Sequence, residues 1–226
     1  MKTKGIILLL ACTLSACGGG GGSSTPVSPT NPSPATFPLA SAMSAFMQAG
    51  HDYTVSSVSG ADTYVMQLSW KPGAQQTFEG NLSSTMVNSS IFKKNGVVIS
   101  TDSSTSYFDV SPYKPWGSVG SDGSYEVAAG QQRLPTSATT GQSGAFDTLT
   151  TYASSAKTSI LSTSTETWSL ETDTATTAWG CINSTTKYTD GSPTVTGANC
   201  FKTDQSGNVS AMKLTVYVNG QSLTFQ

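Results

Sequence analysis

Apolar residues recur at every second position over most of this chain. Tyr64, Met66, Leu68 and Trp70 alternate with Val65, Gln67 and Ser69 between "GAD" and "KPG", the two-residue period of a strand with one buried face. Met212, Leu214, Val216 and Val218 alternate with Lys213, Thr215 and Tyr217, and Asn219–Gly220 follows. Asn-Gly readily supplies the two positive φ angles of a type I′ turn. Folding there sets Val216 opposite Leu223 and Leu214 opposite Phe225, so both strands turn apolar residues to one face. A second Asn-Gly, Asn95–Gly96, joins "MVNSSIFKK" to "VVIST". Between Ala145 and Asp190 lie three more strand-like runs, "AFDTLTTYA", "SILSTSTETWSLE" and "TTAWGCINSTTKYT". One segment breaks the pattern. "PLASAMSAFMQAG" spaces Leu39, Met43, Phe46 and Met47 as a helical stripe. Pro38 suits its first helical position and Gly50 a C-terminal cap. The elements predict an all-β fold, mainly an antiparallel meander forming a barrel, half-barrel or sandwich. One short N-terminal helix covers an opening or an edge.

The first residues follow a different logic. Lys2 and Lys4 precede an apolar run from Ile6 to Ala11, and the small residues Ser15 and Ala16 come last, the layout of an export signal. The run is far shorter than the roughly 20 residues a spanning helix needs. "LSAC", Leu14 to Cys17, resembles the lipobox of bacterial lipoproteins. The resemblance covers about the first 17 residues. It implies cleavage before Cys17, a diacylglycerol on its thiol and acylation of the new amino group. Several acyl chains at about 0.8 kcal/mol per buried methylene make a stable anchor. Gly18 stands where the family's inner-membrane retention signal has Asp, which implies the bacterial outer membrane. Next come five glycines, two serines and a stretch stiffened by Pro26, Pro29, Pro32 and Pro34. Such a leash of about 19 residues holds a body about 30 to 60 Å from the bilayer. It is similar to the tethers of some surface-displayed lipoproteins. The expected organisation is 1–16 signal peptide, 17–36 lipidated cysteine and tether, and 37–226 one β-rich domain. That domain looks similar to exported lipoproteins of Gram-negative bacteria, without the motif of a characterised family.

Composition narrows the partners. Charged residues are 11% of the chain, while roughly three in ten are Ser or Thr, which suits strands with hydroxyl-bearing faces. Of eleven basic side chains, Lys2 and Lys4 go with the signal, leaving nine against thirteen acidic ones, a net of −4. No basic patch for nucleic acid is present.

With Cys12 in the signal and Cys17 lipidated, Cys181 and Cys200 remain. In an oxidising compartment two cysteines suit a disulfide better than a metal site. If Asp190–Gly191 closes a two-residue hairpin, Cys181 faces Cys200 at a Cα separation near 5.5 Å, and Pro193 faces Tyr188. A turn or bulge in "TGAN", Thr196 to Asn199, would break that register.

Catalytic signatures are sparse. The single histidine, His51, sits at the helix-to-strand junction, and no G-x-S-x-G elbow exists. Asp147, Glu166, Glu171 and Asp173 lie on or near strands, where a glycosidase-like pair could form, although solvated outward carboxylates are the plainer reading. "SDGSYE" and "TDQSGN" carry oxygen ligands but match turns better than calcium loops. No metal and no cofactor are expected. "SPYKPWGS" holds Tyr113 and Trp116 between prolines. Exposed, these rings would stack on a sugar or anchor a protein; folded back, they would cap the core, the weightier reading. The expected function is a non-catalytic, outer-membrane-anchored domain with a structural, adhesion or binding role. Its partners would be the membrane, through lipid, and a protein, glycan or apolar ligand. The alternatives are a carrier of an acyl chain or other apolar ligand, and a carboxylate-dependent hydrolase.

Overall fold

The computed structural model describes residues 35–130, 133–218 and 221–226. Cys17, the signal, most of the tether and the Asn219–Gly220 turn lie outside the described residues. The elements are β1 (Thr36–Phe37), α1 (Leu39–Gln48), β2 (His51–Ser59), β3 (Asp62–Phe78), β4 (Asn81–Lys94), β5 (Val97–Val110), β6 (Tyr113–Gly120) and β7 (Tyr125–Ala128). After them come β8 (Ala138–Thr139), β9 (Ser143–Tyr152), β10 (Ile160–Thr172), β11 (Thr177–Tyr188), β12 (Val195–Asp204), β13 (Val209–Val218) and β14 (Gln221–Phe225). Twelve strands form one antiparallel sheet in chain order from β2 to β14, with β8 stepping out to pair with β1. The two edges meet. Ser56 N–H donates to Gln226 O at 3.5 Å and Gln226 N–H to Ser56 O at 3.4 Å. Such long bonds hold little by themselves, and the seam is filled instead by Val55 packed with Leu214, Val216 and Phe225. Of the three expected architectures, the sheet is therefore a nearly closed barrel.

Register follows the sequence pattern closely. Val216 faces Leu223 and Leu214 faces Phe225. Asn95 and Gly96 take φ angles of 51° and 80° between the paired Lys94 and Val97. Cys181 faces Cys200, with Thr196 to Asn199 in regular pairing beside it. Three local expectations fail. Ladder β11–β12 ends at Thr186–Val195, so Asp190–Gly191 is part of a wider loop, and Tyr188 pairs with Ser162 rather than Pro193. "KPG" does not end its strand; β3 runs on to Phe78 through a register shift between Gly73 and Gln76. Pro38 is the N-cap of α1 rather than its first residue, and the helix ends on extended Ala49 instead of a left-handed Gly50.

Alternation then sorts side chains in or out around the whole ring. At one end α1 lies across the lumen as a plug. Phe46 meets Phe201 at 4.4 Å, Trp70 at 5.7 Å and His51 at 4.1 Å between ring centroids, bridging β12 to β2 and β3 across the seam. Gly180 and Gly207 allow the helix to come close, because a Cβ there would lie 3.1 Å from Leu39 Cδ2 and 3.2 Å from Pro38 Cγ respectively. The remaining void beside the helix is about 20 Å³, no more than a single water needs.

Candidate functional site

Away from the plug, the wall formed by β4 to β7 encloses an open cavity of about 400 Å³. The inward positions of β4 and β5 are Asn88, Ser90, Asp102, Ser104 and Ser106, cross-strand neighbours in register. Asn88 Nδ2 donates to Ser106 Oγ at 2.7 Å and Ser104 Oγ at 3.3 Å, forming a polar floor. Strand β6 adds Ser118 and β7 adds Glu126, directly opposite one another. Ser118 Oγ donates to Glu126 Oε1 at 3.3 Å, and Thr151 Oγ1 to Oε2 at 3.2 Å. Trp70 and Leu68 complete one side, and Asp102 and Asp122 stand at the exposed mouth. Among the described residues no Lys, Arg or His lines this space.

Behind Glu126 lies a second layer of acid. Glu166 and Asp147 are direct cross-strand partners. Burial, then the charges of Glu126 and Asp147, push the Glu166 carboxyl up to about 8 from an ordinary 4.5. Burial also raises Glu126, partly offset by the Thr151 and Ser118 hydroxyls. Asp147 is raised by burial and pulled back by amides. Its Oδ1 accepts from Thr148 N–H at 2.7 Å and Gly130 N–H at 3.1 Å, while Oδ2 is buried without a hydrogen-bond partner. The three carboxyls thus share a region too dry for all to ionise together.

Sequence-level candidates fall on both sides of the wall. Asp147 and Glu166 point inward. Glu171 and Asp173 do not join them; they pair with Lys213 at 3.0 Å and Lys202 at 2.7 Å on the outer face. Tyr113 is turned into the fold against Phe108 and Phe146, at 5.9 and 6.3 Å between centroids, and burial followed by the Glu166 and Asp147 charges raises its phenol. Trp116 carries Lys114 Nζ at 3.6 Å over its ring, and its indole N–H is buried without an acceptor. The two rings therefore cap the interior rather than stand out on a loop, because "YKPWG" is strand β6. His51 Nε2 contacts Phe46 O at 3.0 Å and fastens the plug's end. In "TDQSGN", Asp204 Oδ1 accepts from Ser206 and Asn208 N–H at 2.8 and 2.9 Å, so the hairpin itself occupies that carboxylate. Asp122 accepts from Ser124 N–H at 3.0 Å in the same way. Cys181 and Cys200 form a disulfide on the outer face, buried under Trp179, with a Cα separation of 4.0 Å, shorter than the hairpin argument gave.

Sequence reasoning missed Glu126, Asn88, Asp102 and the hydroxyls between them. Alternation with Tyr125 and Val127 would have turned Glu126 outward, the reverse of its place on the cavity wall. The β5 positions were not readable, because "STDSSTS" is polar on both faces.

Compared with known proteins, the chain matches no family model, no curated protein and no solved structure.

Proposed function

We propose that this is an envelope binding protein, held to the outer membrane through lipid on Cys17, whose barrel takes a small polar ligand into its open half. One observation carries the reading: the 400 Å³ cavity lies against a wall of hydroxyl, amide and carboxyl groups, while the other end is filled by α1. A pre-formed concavity with convergent polar groups is the usual form of a small-molecule site. An acyl-chain carrier would need an apolar continuous lumen, and only Leu68 and Trp70 give this wall apolar surface. The hydrolase remains a second reading because Glu166 and Asp147 are inward cross-strand partners. Neither lines the cavity, which places both behind Glu126 and away from an entering substrate.

Calorimetric titration of the full chain with small cationic, neutral and anionic polar solutes tests the binding reading. At least one class should bind with unit stoichiometry. Ser104→Trp, which fills the cavity, should abolish that heat, whereas Thr165→Trp on the exposed face should not. Silence from every class would overturn it. The anchor is tested separately: Cys17→Ala should move the protein from the membrane to the soluble fraction, and a membrane-bound variant would refute it.

A further inference from the structure

We infer that the ligand is a neutral carbohydrate of one or two sugar rings, bound through its hydroxyls to Asn88, Ser104, Ser118 and Thr151, with Trp70 alongside. The inference rests on the luminal-binding reading above and names the ligand class. What carries it is the direction of the hydrogen bonds already made within the wall. Asn88 Nδ2 donates to Met86 O at 3.3 Å, and a carbonyl can only accept, so the amide is fixed with its nitrogen on the floor. Oδ1 is the amide atom not spent there. Ser104 Oγ accepts from the same nitrogen at 3.3 Å, which keeps its own O–H for a ligand. Ser118 and Thr151 spend their protons on Glu126, at 3.3 and 3.2 Å, which leaves lone pairs on both hydroxyl oxygens. The wall therefore presents acceptors at Asn88, Ser118 and Thr151 and a donor at Ser104. A hydroxyl group both gives and takes a hydrogen bond, and a sugar carries several on one rigid ring.

Spacing and shape suit such a ring. Asn88 faces Ser104, Ser118 faces Glu126 and Glu126 faces Thr151 in direct cross-strand register, so polar side chains recur about every 5 Å across neighbouring strands. At about 30 Å³ per water, the cavity of about 400 Å³ holds enough solvent for one or two rings to displace. Trp70 is held by edge-on contacts to Phe46 and Tyr53, at 5.7 and 5.8 Å between centroids, and lines the cavity beside Leu68. A pyranose has an apolar C–H face as well as a hydroxyl rim, and an aromatic wall next to polar groups accommodates both.

Charged ligands fit the same wall poorly. Among the described residues no Lys, Arg or His lines the space, so a carboxylate or phosphate would meet no countercharge. A cation would meet Glu126 with both oxygens already taken by hydroxyls. Asp102 and Asp122 are exposed at the mouth, where ion pairing contributes little. With hydroxyls rather than ions making the contacts, affinity should hardly depend on salt.

The test titrates glucose, galactose, mannose, N-acetylglucosamine, maltose and cellobiose calorimetrically into the full chain, beside putrescine and succinate, with tryptophan fluorescence followed in parallel. At least one saccharide should bind ~10-fold or more tighter than either ion and shift the tryptophan emission. Its affinity should change less than ~2-fold between low salt and about 0.5 M. Ser104→Ala, which removes the donor, and Thr151→Val, which removes an acceptor, should each weaken that saccharide ~3- to 10-fold. Thr165→Val on the exposed face should leave it unchanged. Urea midpoints of the variants separate a lost contact from a lost fold. Binding of putrescine or succinate with every saccharide silent would sink the carbohydrate inference and leave luminal binding standing; silence throughout would sink both. Saccharide binding that both substitutions leave intact, or that falls steeply with salt, would overturn the assignment.

Discussion

Glu166→Gln offers the sharpest physical test of the luminal arrangement, because it reverses sign with pH. An ordinary glutamate titrates near 4.5, and in the fold Glu166 does so at about 8. The native state therefore holds a proton that the unfolded chain has released, so stability falls as pH rises through that window and is level outside it. At ~1.36 kcal/mol per pH unit the full gap corresponds to about 5 kcal/mol. Partial exposure of the residue reduces what is realised to about 3 kcal/mol. At pH 5 the native carboxyl is neutral and Gln is a close substitute, so the two proteins should unfold within about 1 kcal/mol of one another. At pH 8 the variant should be more stable by about 3 kcal/mol, since it no longer carries a group that loses a favourable ionisation on folding. Urea unfolding followed by tryptophan fluorescence at several pH values gives the comparison directly. Glu126 is also raised, so the variant should retain a smaller slope of the same sign. A difference between the proteins that stays constant from pH 5 to pH 8 would refute the buried-acid account, and so would one that favours the wild type at high pH.

Other perturbations reach different parts of the fold. Cys181→Ser with Cys200→Ser opens a loop of sequence separation 19 and should cost about 3 kcal/mol, seen as a lowered urea midpoint that reductant no longer shifts. Gly117 takes φ 147° and a Cβ there would lie 2.0 Å from Glu126 O; Gly117→Ala should destabilise by several kcal/mol and weaken luminal ligand binding, because β7 must move. Phe46→Ala removes the ring that spans Phe201, Trp70 and His51. The loss should be about 3–5 kcal/mol, with the strand signature in far-ultraviolet circular dichroism kept.

How far the sequence could be read depended on whether a strand has two unlike faces. Tyr64 to Trp70 and Met212 to Val218 alternate apolar with polar residues, so their period, partners and inward side were all legible. An Asn-Gly turn fixed register where it agreed with that pattern. The Asp190–Gly191 loop shows the limit: the register of Cys181 with Cys200 was correct although the assumed two-residue turn was not, because sequence spacing constrains a pair more tightly than the loop joining it. β5 gave no such signal. With Ser, Thr and Asp on both faces, nothing local says which hydroxyls line a cavity; only the barrel's closure decides that. In "SPYKPWGS" the rings cap the core as favoured, but the strand that carries them was hidden. Two prolines suggest a loop, yet Pro115 sits opposite Phe108 beside a register shift, where a strand accommodates a missing N–H.

The placement of lysine argues that the inner acids are not a by-product of a generally acidic chain. Over the whole sequence the basic and acidic side chains number 11 and 13, close to balance. Their distribution is not balanced. Asp52, Asp62, Glu79, Asp173 and Glu171 each have a lysine within 2.5 to 3.0 Å, at the outer surface or the rim. Such pairs contribute little individually, but among the described residues they leave Glu126, Asp147 and Glu166 as the carboxyls without an ion pair where water is scarcest. Stability alone would favour the reverse arrangement, since an unpaired buried acid is destabilising and an exposed one is nearly neutral. Lys114 acts on Asp147 through its charge alone, so these acids are eased by hydroxyls, amides and a shifted proton rather than by an ion pair.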